Sequence, residues 1–92
     1  MEIFVHNLRA TYMSHTDTLR IYHNSEQIFE QCVERCPDLD YWNSLTFGDD
    51  EYDINLHHYE GRLSLQLYPV VNGSVNCSIW QNIEIKVIRI KL

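Results

Sequence analysis

Basic residues are scarce: Lys and Arg number seven against thirteen Asp and Glu, for a formal net charge of −6, and no two of the seven are adjacent. Sequence-independent binding of nucleic acid needs Lys and Arg to displace counterions from phosphates. A broad electrostatic nucleic-acid face is therefore excluded, and no direct nucleic-acid contact is expected. An acidic surface suits a basic partner and also aids solubility. Long apolar runs are missing as well. No stretch approaches the roughly 18 residues that a membrane-spanning helix needs, so no membrane role is expected. The first residues, Met1-Glu2-Ile3-Phe4-Val5-His6, lack the basic and then apolar regions of a secretory leader. The expected location is cytoplasmic.

Cysteine is limited to Cys32, Cys36 and Cys77. An odd number in a chain read as leaderless points to a reducing compartment and free thiols. Cys32 and Cys36 lie one helical turn apart, but the repeated two- to four-residue spacing of a structural zinc site is absent. No metal and no cofactor are expected. Catalytic signatures are missing too. His57 and His58 are adjacent on a predicted strand, so they point to opposite faces and cannot share one substrate. His6, His15 and His23 are scattered, with no Ser or Cys nucleophile tied to them. The chain is read as non-enzymatic.

What is present is an ordinary folding composition, 45% apolar and 22% charged over 92 residues. That length makes a single domain, residues 1–92, with no repeat, linker or low-complexity segment. Ile3 to Tyr12 alternates, with Phe4, Leu8, Ala10 and Tyr12 on one face. Thr18 to His23 alternates again, so these two runs predict a β-hairpin. Asn24 and Gln27 stand where a helix cap and its capping-box partner would. Ile28, Phe29, Cys32, Val33 and Cys36 then follow the spacing of one helical face, and Pro37 stops the run. The prediction is a helix here, with Asp38 to Asn43 forming at most one more short turn.

Beyond it the pattern is β-like. Ser44 to Phe47 is a short candidate strand, ended by Gly48-Asp49-Asp50. Tyr52 to Tyr59, Leu63 to Leu67, Val75 to Ile79 and Ile83 to Leu92 read as strands. Glu60-Gly61 and Asn72-Gly73 supply turns, the latter a preferred hairpin pair. A phase slip between Val87 and Ile88 predicts a β-bulge. The expected fold is α+β, in the order ββ-α-ββββ: an antiparallel sheet of five to six strands with one helix packed on a face.

Charge is uneven along the chain. From Glu34 to Glu60, eight carboxylates include Asp38, Asp40, Asp49, Asp50, Glu51 and Asp53, while Arg35 is the one base. Tyr41, Trp42, Tyr52 and Tyr59 are interleaved with them. Lys86, Arg89 and Lys91 gather at the other end. The Asp49–Asp53 run lacks the register of a calcium loop. Tyr and Trp are enriched at interface hot spots, and carboxylates around them steer a basic partner. The competing reading makes the aromatics core and the acids a solvated rim.

The ten residues Asp38, Asp40, Tyr41, Trp42, Asp49, Asp50, Glu51, Tyr52, Asp53 and Tyr59 are thus the candidate partner-binding set. The expected partner is a larger protein, or a protein–nucleic acid complex, with a basic surface. The chain itself would be a monomer or weak homodimer. In size, acidity and lack of catalytic motif it has the general profile of small inhibitors carried by phages and mobile elements, such as anti-CRISPR proteins, or of toxin-immunity proteins. That similarity is one of kind, carried by no shared motif. A module pairing through an edge strand is the further alternative, and a small His- or Cys-dependent enzyme ranks last.

Overall fold

The computed structural model describes residues 5–34 and 37–89. They form eight strands: β1 (Leu8–Met13), β2 (Thr18–His23), β3 (Glu26–Cys32), β4 (Leu39–Phe47), β5 (Asp50–Tyr59), β6 (Arg62–Val71), β7 (Ser74–Val75) and β8 (Gln81–Ile88). The sheet order is β3-β2-β1-β8-β6-β5-β4, with β7 pairing to β6. β1 and β8 run parallel; the other pairs are antiparallel. The sheet curls into a nearly closed, barrel-like body, so the α+β expectation and its helix are overturned: the fold is all-β.

The reason lies at Asn24-Ser25. Both residues have positive φ, 52° and 69°, and His23 pairs with Glu26 across them. This is a two-residue hairpin turn of the kind that matches the twist of the flanking strands. Asn adopts the left-handed region more readily than most residues, so a residue suited to capping a helix here reverses a strand. The helical spacing has a second source. The β2–β3 register shifts between Ile21 and Tyr22, which pair with Phe29 and Gln27. Ile28 is the extra residue of that bulge. A bulge sets two consecutive apolar residues in partly buried positions, as a helical face also does. Beyond it Val33 is buried and Cys32 is exposed. Cys36, the last residue of the predicted face, lies outside the described residues.

Other elements follow the alternation. Leu8, Ala10 and Tyr12 of β1 and Leu19 and Ile21 of β2 point inward and are buried. They meet Leu45, Tyr52, Ile54, Leu56, Leu65, Leu67 and Ile83 in one core. Ile3 and Phe4 fall outside the described residues. Asn72-Gly73 is a turn with both φ positive, as is Glu60-Gly61. Other details also differ from expectation. The sheet has eight strands and is mixed, because β1 and β8 pair in parallel, where five to six antiparallel strands were expected. The strand expected over Val75 to Ile79 ends at Val75, and residues 76–80 are not strand. β4 begins at Leu39, so the segment read as a short turn is strand. β8 pairs with β1 in unbroken register from Glu84 to Ile88, so there is no bulge between Val87 and Ile88; Ile90 and Leu92 are outside the described residues. No described helix is long and apolar enough to cross a membrane.

Candidate protein-binding face

The β4–β5 hairpin carries the acidic–aromatic stretch. Its two strands pair from Leu39↔His58 to Phe47↔Asp50, leaving Gly48-Asp49 as the turn, with Gly48 at φ 62°. A positive φ at the first turn position is what a type II′ hairpin requires. Because side chains alternate, the ladder sorts the candidate residues by face. Inward go Tyr41, which packs half-buried against the core, and Tyr52, only 4% exposed. Tyr52 stacks on Phe47 with ring centroids 5.0 Å apart. Burial first, and Asp50 second, raise its phenol pKa. The Tyr41 hydroxyl accepts a 2.6 Å hydrogen bond from Asn43 Nδ2.

Outward go Asp40, Trp42, Glu51, Asp53 and Tyr59. The ladders extend this face onto β6, so that Ser44, Asp53 and Tyr68 form one cross-strand row and Trp42, Asn55 and Gln66 the next. Trp42 is 47% exposed and its ring lies 5.2 Å from that of Tyr68. Asn55, buried beneath this outer layer, donates through Nδ2 to Asp40 Oδ1 at 2.6 Å and to the Tyr41 carbonyl at 3.2 Å. The Asp40 carboxylate is thereby held in place beside the aromatic pair. Burial, then Cys77 and Asp40, raise the pKa of Tyr68, so its hydroxyl keeps its proton through the neutral range and can donate. His57 and Tyr59 stack further along the same face, centroids 6.2 Å apart.

Asp38 sits exposed in the turn before β4, near the Tyr59 end. Asp49, Asp50 and Glu51 lie exposed at the opposite tip. A ten-residue strand spans roughly 33 Å, so the candidate residues form a strip along one hairpin. Carboxylates stand at both ends and Trp42 near the middle. Tyr68 and Asn55 belong to this face without having been singled out in sequence, and His57, weighed there only as a catalytic group, joins them. Only the strand register brings them in.

The thiols are also placed differently from expectation. Cys32 and Cys77 are free and exposed, whereas Cys32 was expected on the packed face of a helix; Cys32 Sγ donates weakly to the Thr16 carbonyl at 3.3 Å. His58 is buried with Nδ1 3.1 Å from the Pro37 carbonyl, while His57 is exposed, so the two do face apart. Among the described residues, no group of three or more His, Cys, Asp or Glu side chains is placed to hold a metal ion. Comparison with protein-family models, curated proteins and solved structures finds no match to the chain.

Proposed function

We propose that this chain is a non-enzymatic binding module, a small acidic inhibitor that occupies a basic surface of a larger protein or protein–nucleic acid complex in the cytoplasm. The observation that carries the reading is the outer strip of the β4–β5 hairpin, where Trp42 lies half-exposed against Tyr68 beside a carboxylate fixed by Asn55. A large aromatic on a rigid strand loses little rotamer entropy on docking, and surrounding carboxylates meet the arginines and lysines of such a partner. Two exposed thiols fit a reducing compartment. The test is affinity capture from the native cell with tagged wild-type chain and with Trp42→Ala, read by mass spectrometry. The reading expects a partner with a basic surface that wild type retains and Trp42→Ala loses. A partner retained equally by both would remove the face from consideration.

Self-pairing through an edge strand is the second reading, and one contrast favours it. The sheet leaves β3 and β4 as edges. β3 is blunted by its bulge and by Glu26 and Glu30, whereas β4, Leu-Asp-Tyr-Trp-Asn-Ser-Leu-Thr-Phe, carries no proline, lysine or bulge and one charge, Asp40. Edges without such devices are prone to pair. Sedimentation across a hundredfold concentration range separates the two readings: a monomer throughout leaves the inhibitor reading standing alone.

A further inference from the structure

A second site lies away from the acidic strip, on the outer face of β2, β1 and β8. A half-open groove of about 680 Å³ runs there, lined chiefly by Asn7, Arg9, Thr11, Tyr22, Glu84 and Lys86. That volume is in the range of small-molecule sites. The parallel β1–β8 ladder builds it. Tyr22, Arg9 and Glu84 form one cross-strand row; Arg20, Thr11 and Lys86 form the next. Arg9 is thus the diagonal neighbour of both Arg20 and Lys86, at about 7–8 Å, with the Thr11 hydroxyl between them.

Three cations meet two carboxylates on this patch, Glu84 and Glu30. Glu30 is engaged by Arg20 across β2–β3 at 3.6 Å. That pair is the one ion pair among the described residues, so neither Arg9 nor Lys86 has a carboxylate within bridging distance there. Arg20 Nε, next to Thr11 in the ladder, is covered and has no hydrogen-bond partner. In a molecule of charge −6 this small surface is net positive. One end of the groove is fixed by reciprocal bonds: Asn24 N donates to the Asn7 carbonyl at 3.1 Å, and Asn7 Nδ2 donates to Asn24 Oδ1 at 3.1 Å. Both asparagines hold positive φ, so that wall is preorganised.

We infer that this groove binds a small phosphorylated polyol, with Arg9 and Lys86 gripping the phosphate from two sides and Thr11 donating to it. Tyr22, Glu84 and the asparagine wall offer partners to hydroxyl groups on the remaining body. Charge-assisted bonds from two cations to one phosphate are the strong part of the recognition. Nucleic acid is the disfavoured source of that phosphate, because two cations in the groove, with Arg20 beside it, cannot track a backbone in an otherwise acidic molecule. The inference is independent of the acidic strip and of its partner.

The test is amide NMR titration of the full chain with ribose 5-phosphate, with ribose, and with a ten-nucleotide single strand. Ribose 5-phosphate is expected to shift Arg9, Thr11, Tyr22 and Lys86 with a dissociation constant on the order of 1 mM or tighter. Ribose should bind at least about tenfold more weakly. Arg9→Gln and Lys86→Gln should each weaken ribose 5-phosphate by about tenfold or more while keeping a native-like spectrum. Asp53→Asn, on the acidic strip, should leave it unchanged. Three results would overturn the site: no groove shifts at about ten times the expected constant, equal binding of ribose, or binding of the oligonucleotide alone.

Discussion

Tyr12 has no exposed surface, yet its hydroxyl donates a 2.6 Å bond to Asp17 Oδ1 in the β1–β2 loop. A buried hydroxyl needs a partner, and this one is charged. Tyr12→Phe should cost about 1–2 kcal/mol, measured by urea unfolding; no change would show that the bond contributes nothing net. Trp42 behaves in the opposite way. It is half-exposed and rests on Tyr68 alone among the described ring contacts. Trp42→Ala should cost about 1 kcal/mol or less of folding stability but speed dissociation of the bound partner. Tyr52 and Tyr68 carry raised phenol pKa values, chiefly from burial. The folded state therefore holds these protons more tightly than the unfolded chain. That contribution is complete below the unfolded value of 10.0 and is lost as pH rises through the folded values. Stability should fall above about pH 10, and Tyr52→Phe should flatten that fall, followed by denaturation at stepped pH.

At the scale of the element, the turns decide the topology. Ser25 sits at φ 69°, where a side chain costs about 1 kcal/mol. Ser25→Gly should raise stability by about 0.5 kcal/mol after the added freedom of the unfolded chain is counted. Glycine inside a helix would instead destabilise, so a drop in melting temperature would count against the hairpin. The same elements show what could be read beforehand. Leu63, Leu65 and Leu67 alternate without interruption, and Asn72-Gly73 has few uses other than a tight turn, so that strand and that hairpin were legible. Asn24 was not, because one side chain serves a helix cap and a left-handed turn equally. A bulge at Ile28 then imitates helical spacing. Trp42 and Asp53 could be singled out from composition. Tyr68 and Asn55 could not, since their place beside Trp42 and Asp40 comes from the register of the β4–β5 and β5–β6 hairpins, and the sequence pattern started β4 only at Ser44.

At the scale of the whole molecule, β8 is the strand that joins two parts. It lies between β1 and β6, linking the first three strands to β4, β5 and β6. Ile83 closes the core against both sides. Removing residues 81–92 should therefore abolish the cooperative unfolding transition altogether, as seen by circular dichroism and near-ultraviolet signal, rather than lower its midpoint. Two surviving independent transitions would show that each part stands alone. Ile54, fully buried at the centre, gives the milder comparison: Ile54→Ala should cost about 2–5 kcal/mol and leave one transition.

The central place of β8 has a consequence for synthesis. The β1–β2–β3 and β4–β5–β6 hairpin systems can form as they leave the ribosome, but neither can seal its inner face. Their apolar sides stay open until the last described strand has been translated and has threaded between them. During that interval the nascent chain carries two unsealed sheets. A pause just before codon 81, or premature termination there, would release a species suited to holding by chaperones or to degradation.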